Sequence, residues 1–117
     1  MASVGIDIEE VQRFKNLCDN KPTLLQKIFS DYEWTYAKEK NTAQTLTGIW
    51  CAKEAVVKAL YAIGFSVLIR NVHITHNSNG VPLVHIIQGL NEFDVSQINL
   101  SISHTVNYAV AVCIINH

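Results

Sequence analysis

Glu54 and Lys58 stand one helical turn apart in Trp50-Cys51-Ala52-Lys53-Glu54-Ala55-Val56-Val57-Lys58-Ala59-Leu60. A carboxylate and an ammonium at that spacing share one face of a helix. They can grip a metal ion and a phosphate together. The same pair also stabilises a helix by about 0.3–0.5 kcal/mol with no further role. Its neighbourhood favours the chemical reading. Ala52, Ala55 and Ala59 are small, so another group can approach this helix closely.

Asp7 sits inside the apolar stretch Gly5-Ile6-Asp7-Ile8. A carboxylate is costly to bury alone, so Asp7 either faces water at a sheet edge or has a ligand. A site built from Asp7 and Glu54 would offer only oxygen donors. That suits Mg²⁺, which keeps several waters and completes its shell with substrate phosphates. Lys58 would then neutralise a phosphate as a point charge. Ser103, His104 and Thr105 lie at a strand-to-turn junction. Hydroxyls, an imidazole and free backbone N–H groups can bind a phosphate there, although a solvated Ser/Thr turn has the same composition. The other histidines are poorer. His73 and His76 fall on opposite faces of a strand. His73 and His85 are potential cross-strand neighbours without the further ligands that zinc takes.

The elements that must position these residues form an α+β pattern. Ala2 to Ile8 reads as a strand. Glu9 and Glu10 open a helix, where acidic side chains suit the positive end of the dipole. Val11, Phe14, Leu17 and Cys18 continue it at helical spacing. Asn20 to Thr23 breaks it, with Thr23 a candidate N-cap, and Leu24, Leu25, Ile28 and Phe29 start another turn or two. Ser30-Asp31 caps a third helix bearing Tyr32, Trp34 and Tyr36. After a break over Asn41 to Gln44, Thr45 or Thr47 starts a long central helix that runs to about Ile63. Ile49, Val56, Leu60 and Ile63 form its apolar stripe, and Cys51, Glu54, Lys58 and Tyr61 a second one. Gly64 is the expected stop. Val72 to Thr75 and Val81 to Ile87 make a hairpin in which Asn79-Gly80 supplies positive φ angles. Leu90 to Val95 reads as a short turn or helix. Leu100 to Ser103 and Tyr108 to Ile115 form two last strands.

Composition narrows the class. The 117 residues suit one domain. Hydrophobic residues make up 49 % and charged residues 16 %, below the roughly 25 % usual for soluble domains. So few charges fit an apolar surface covered by another subunit, or a monomer with a weakly charged surface. The net charge of −1 gives no bulk attraction to nucleic acid or membrane. Arg13, Lys15, Lys21 and Lys27, against Asp19 alone, make a small basic island or simply a solvated helix face. The 3 cysteines, Cys18, Cys51 and Cys113, lack metal or redox spacing and fit reduced thiols of a cytoplasmic protein. No signal peptide is expected at Met1-Ala2-Ser3-Val4-Gly5, and no run reaches the roughly 18 apolar residues of a membrane span.

Taken together, the motifs resemble one family, the short bacterial 4′-phosphopantetheinyl transferases known as holo-[acyl-carrier-protein] synthases. Gly5-Ile6-Asp7-Ile8 followed by Arg13-Phe14 looks like the family's G-x-D-x-x-x-x-x-R opening. Phe29 followed by Glu33 resembles its F-x-x-x-E segment. Trp50 to Leu60 matches its (F/W)-x-x-K-E-A-x-x-K-A signature. Asn79-Gly80-Val81-Pro82 resembles its hairpin turn, and Ser101 to Thr105 with Tyr108 to Ala111 its S-I-S-H-T segment and last strand.

The resemblance implies the 4′-phosphopantetheinyl transferase fold and its reaction. That reaction moves the 4′-phosphopantetheine arm of coenzyme A to a serine of an apo acyl carrier protein of fatty acid or polyketide synthesis, releasing 3′,5′-ADP. It implies Mg²⁺ on Asp7 and Glu54, Lys58 beside the reacting phosphate, and Ser103, His104 and Thr105 on the nucleotide phosphates. Arg13 would dock the acidic carrier protein. A homotrimer with sites at subunit clefts is also implied. The base that takes the serine proton is Glu54 or a metal-bound water. One position departs from the pattern. The family usually has arginine before the aromatic of the central signature, and here Ile49 stands there. Loss of that cation motivates a different reading, a carrier-binding protein of the same fold without catalysis.

Overall fold

The structure, a computed structural model, describes residues 1–88 and 91–117. The first strand, β1 (Ala2–Glu10), leads into helix α1 (Val11–Asn20), then α2 (Pro22–Ile28), α3 (Asp31–Lys38) and the long α4 (Thr42–Tyr61). A 3₁₀ turn (Ile69–Asn71) precedes β2 (Val72–His76), β3 (Pro82–Gln88), β4 (Asn91–Phe93), β5 (Ile98–His104) and β6 (Tyr108–Asn116). Two antiparallel sheets result, ordered β1-β6-β5 and β2-β3-β4. The expected α+β class holds.

Helix α4 lies across the first sheet. Its Cys51, Ala52, Ala55, Val56 and Ala59 are fully buried, against Ala109, Ala111 and Cys113 of β6. Gly5 sets the approach. A Cβ there would overlap the Ala55 carbonyl and lie 2.8 Å from Ala59 N, so only glycine lets α4 settle on β1. On its other side α4 is tied down by a buried ion pair. Lys53 Nζ lies 2.9 Å from Glu33 Oε1, and both side chains are 0 % exposed. The ammonium also donates to the Val72 carbonyl. Glu33 accepts from Ser30 N at 2.8 Å and from Ile74 N at 2.7 Å. These contacts join α3, α4 and β2 at one point. Burial pulls the Lys53 ammonium below its usual range, and the Glu33 carboxylate opposes that shift.

Local signals account for several boundaries. Ser30 and Glu33 form the expected capping box of α3. Gly64, at φ 92°, follows the end of α4 as expected. The cross-strand pair His73 and His85 is also present.

Other boundaries move, each for a physical reason. Glu9 and Glu10 belong to β1, because pairing with β6 continues to Glu10 opposite Tyr108; α1 begins at Val11 with no acidic residue in its first turn. Pro22, not a Thr23 cap, opens α2, since a proline needs no partner for an N–H in the first turn. Helix α4 starts at Thr42 rather than Thr45 or Thr47. Asn41 Oδ1 caps Gln44 N at 3.2 Å, and Thr47 is an interior residue whose hydroxyl donates to Ala43 O at 2.6 Å. In the β2–β3 hairpin only Gly80, at φ 80°, has a positive φ; the turn is built on Asn77, whose side chain accepts from Asn79 N and Val81 N. Asn91–Phe93 is a strand, where a turn or helix is expected; Leu90 lies outside the described residues.

Candidate active site

Asp7 does not face water at the sheet edge. Side chains alternate along β1, so Ser3, Gly5, Asp7 and Glu9 point toward α4 while Val4, Ile6 and Ile8 point away. The Asp7 carboxylate meets Lys58, whose Nζ lies 3.2 Å from Oδ1 and donates to the Ile6 carbonyl at 2.9 Å. The other oxygen, Oδ2, is buried with no N–H or O–H partner, and the Cys51 thiol is the group that lies against Asp7. Lys58 thus binds across to the strand rather than along its own helix to Glu54.

Glu54 faces the same region from α4. Burial and then the Asp7 charge push its carboxyl above the usual range, while Lys58 and Arg13 pull it down and Glu9 pushes it up. The Cys51 thiol is pushed up to about 12, first by burial, then by Asp7, Glu9 and Glu54. It therefore stays a neutral donor, 3.5 Å from Ala109 O. Glu54 therefore lies within electrostatic reach of Asp7 and Glu9 at the β1 face of α4. Among the described residues no three His, Cys, Asp or Glu side chains are arranged to hold a metal by themselves. Asp7 and Glu54 still fit a hard divalent cation. Both donors are oxygens, one Asp7 oxygen lacks an N–H or O–H partner, and a cation would relieve the repulsion between them. Such an ion would keep open positions for water or substrate oxygens.

Glu9 carries a pairing that its reading as a helix opener misses. Its carboxylate lies 2.5 Å from Arg13 Nη1. The signal is the two-residue step from Asp7, which on a strand puts both side chains on one face. The Arg13 guanidinium lies 5.7 Å from the Trp50 ring and 5.8 Å from that of Phe14. Arg13 and Lys15 on α1, Lys21 between the helices and Lys27 on α2 are all exposed.

Ser103, His104 and Thr105 together line a shallow cavity of about 170 Å³ with Ile8 and Tyr108, although their side chains do not all share one face of the sheet. His104 pairs with Ala109 and so faces α4, whereas Ser103 pairs with Val110 and faces the opposite side of the sheet. The Thr105 hydroxyl accepts from Asn107 N at 3.3 Å and Tyr108 N at 3.1 Å, and Thr105 N donates to Tyr108 O. These three N–H groups are therefore engaged, not free. His104 lines a cavity of about 190 Å³ with Tyr36, Lys40, Gln44, Ile49 and His76. Tyr36 and His76 stack there at 3.8 Å, and burial and then Lys40 hold His76 below its usual range. Lys40, Tyr36 and His76 come together only through the tertiary fold, and nothing in their spacing announces it. Asp7 and Ile102 both pair with Ala111, so β6 separates them by about 10 Å across the sheet. The carboxylates and His104 thus flank α4 on opposite sides.

Residues 3–113 match the 4′-phosphopantetheinyl transferase superfamily. The chain belongs to that family. It is 39 % identical over 119 residues to the holo-[acyl-carrier-protein] synthase of Caldanaerobacter subterraneus subsp. tengcongensis, covering 95 % of this chain and 91 % of that protein. A Chronobacterium ammoniagenes ACPS–CoA complex superposes with a TM-score of 0.83 at 23 % identity, covering 100 % of this chain and 98 % of that one, a likeness of fold. A Bacillus anthracis holo-(acyl-carrier-protein) synthase in complex with CoA (3′,5′-ADP) gives a TM-score of 0.74 at 26 % identity, over 97 % and 94 % of the two chains. A 4′-phosphopantetheinyl transferase of the holo-[acyl-carrier-protein] synthase type is a transferase, and Trp50 to Leu60, its signature stretch here, is the part of α4 that carries Glu54 and Lys58. Among the described residues no helix is long and apolar enough to cross a membrane.

Proposed function

We propose that residues 1–117 form one catalytic domain that transfers 4′-phosphopantetheine from coenzyme A to a serine of an apo acyl carrier protein and releases 3′,5′-ADP. The observation that carries this reading is the meeting of Asp7, Glu54 and Lys58 between β1 and α4 in a member of this family. Asp7 and Glu54 would hold Mg²⁺, which when bound neutralises pyrophosphate charge. Lys58 places its ammonium beside the reacting phosphate and stabilises the charge that grows on the departing 3′,5′-ADP. The serine oxygen forms a bond to phosphorus as the phosphorus–oxygen bond to 3′,5′-ADP breaks, and the serine proton passes to Glu54 or to a water; catalysis here is positioning and charge stabilisation. His104 and Lys40 line a cavity that suits the anionic nucleotide end of coenzyme A. Arg13 and its basic neighbours suit an acidic carrier protein.

The outer face of β1 supports an assembly. Val4 is 58 %, Ile6 58 % and Ile8 65 % exposed, beside Ile114 of β6. A contiguous apolar sheet face of this kind marks an interaction surface. We read it as the contact of a cytoplasmic homotrimer. Its clefts would bring Asp7, Glu54 and Lys58 of one copy toward Ser103, His104 and Thr105 of the next, which a single chain keeps apart.

The test is a mass spectrum of apo acyl carrier protein incubated with this protein, coenzyme A and Mg²⁺, with an EDTA control. A gain of one phosphopantetheine, lost in EDTA, is expected. Carrier binding without any gain would favour the non-catalytic reading. Ile49 is the observation behind it, since it is 1 % exposed and brings no charge to the cavity beside His104.

A further inference from the structure

We propose that the Glu9–Arg13 ion pair couples docking of an acidic partner to divalent-cation binding at Asp7 and Glu54. The proposal rests on the metal and carrier reading above and deepens it into a regulatory link. Glu9 and Arg13 are four residues apart, but they span the junction of β1 and α1 rather than one helix. Glu9 is therefore aimed at the α4 face that carries Asp7's neighbours, and its side chain is 21 % exposed. Arg13 is 52 % exposed and lies over Trp50, one turn before Glu54. The charged groups around this point are Asp7, Glu9 and Glu54 against Lys58 and Arg13, with the neutral Cys51 thiol between them.

An acidic partner that draws Arg13 outward strips Glu9 of its counter-charge. The freed carboxylate then adds one negative charge beside Asp7 and Glu54, and a divalent cation there is held more tightly. The converse follows from linkage. A cation between Asp7 and Glu54 supplies counter-charge to Glu9, loosens its grip on Arg13, and readies Arg13 for the partner. An exposed ion pair of this kind is worth a factor of about two to five in an equilibrium constant.

The test titrates Mn²⁺ as the probe cation into the protein, followed by electron paramagnetic resonance of free Mn²⁺, with and without apo acyl carrier protein and with no coenzyme A. Wild type is expected to bind Mn²⁺ about two- to fivefold more tightly with the carrier present. Glu9→Gln is expected to bind both ligands with that tightening gone. Arg13→Gln is expected to bind Mn²⁺ without carrier as tightly as carrier-loaded wild type. Equal Mn²⁺ affinity with and without bound carrier in wild type, or full tightening in Glu9→Gln, overturns the coupling alone. Absence of Mn²⁺ binding or of carrier binding by wild type without coenzyme A also overturns the coupling, whereas the transferase reading stands or falls by the phosphopantetheine mass spectrum. Circular dichroism confirms the fold of each variant.

Discussion

Lys53→Met and Glu33→Gln break the one fully buried ion pair among the described residues, and the two should not cost the same. Removing one partner of a buried pair destabilises by about 3–5 kcal/mol, because the other charge stays in the interior. In Lys53→Met, Glu33 keeps two amide donors, Ser30 N and Ile74 N. Its charge remains partly solvated, so the loss belongs near the lower end. In Glu33→Gln, Lys53 keeps the Val72 carbonyl and loses its carboxylate, so the loss belongs near the upper end. At about 4 °C per kcal/mol for a chain of this size, midpoints should fall by roughly 12 °C and 20 °C. The sign with pH is fixed as well. Burial lowers the folded Lys53 pKa below its unfolded value, and removing Glu33 lowers it further. The penalty in Glu33→Gln is full below the folded pKa and shrinks as pH rises toward about 10.4, where the unfolded lysine also loses its proton. Thermal unfolding by circular dichroism at fixed protein concentration, at pH 7 and pH 9.5, measures both effects. The double variant Glu33→Leu/Lys53→Met should recover much of the loss. A Lys53→Met midpoint within about 4 °C of wild type would refute the reasoning, because the pair would then not be holding α3, α4 and β2 together.

Three more outcomes follow from the same geometry. Gly5→Ala places a methyl against the Ala55 carbonyl, so about 1–3 kcal/mol of stability should be lost, with transfer activity falling as α4 lifts from β1; urea unfolding and carrier mass spectra check the two. Glu54→Gln should abolish phosphopantetheine transfer yet unfold at higher temperature than wild type at pH 7 without metal. The folded Glu54 pKa is raised, so its ionised form costs stability above that pKa, and the difference should vanish as pH falls below about 4.3. Ile6→Glu puts a charge in the middle of the exposed β1 face and should leave a folded monomer by light scattering, with transfer lost.

What could be read from the residues alone was local. The Ser30–Glu33 capping box and the Gly64 stop involve neighbours in the chain, and both are present. Glu9 and Glu10 look like a helix start because acidic residues suit one, but strand pairing with Ala109 and Tyr108 extends β1 through them. Pairing across about a hundred residues leaves no mark in a short window. The orientation of Asp7 was hidden for a different reason. Ile6 and Ile8 are as apolar as a core face, yet they point outward, so alternation along β1 does not say which side meets α4. Ser103 and His104 show the opposite case. Consecutive strand residues face opposite sides, and that rule alone separates the two once β5 is known to run through His104. The cavity of Lys40, His76 and His104 joins three segments far apart in sequence and needed the fold itself.

Adjacent residues on α4 make the sharpest case for where a ligand belongs. Successive helical side chains are about 100° apart, so Lys53 and Glu54 look in different directions. Lys53 meets a carboxylate and a carbonyl in the interior and is fully matched. Glu54 lies within reach of Asp7, a like charge that together with burial pushes its carboxyl above the usual range. Buried and half-buried polar groups are nearly always satisfied, and an exception calls for a cause. Two carboxylates and one buried oxygen without an N–H or O–H partner, Asp7 Oδ2, meet here beside an ammonium. A cation on the carboxylates and a phosphate on the ammonium would resolve the whole arrangement, and replacing the carboxylates would resolve only part of it. On the proposed reading, the two carboxylates and Lys58 are half of an interaction whose other half would be the substrate and its metal.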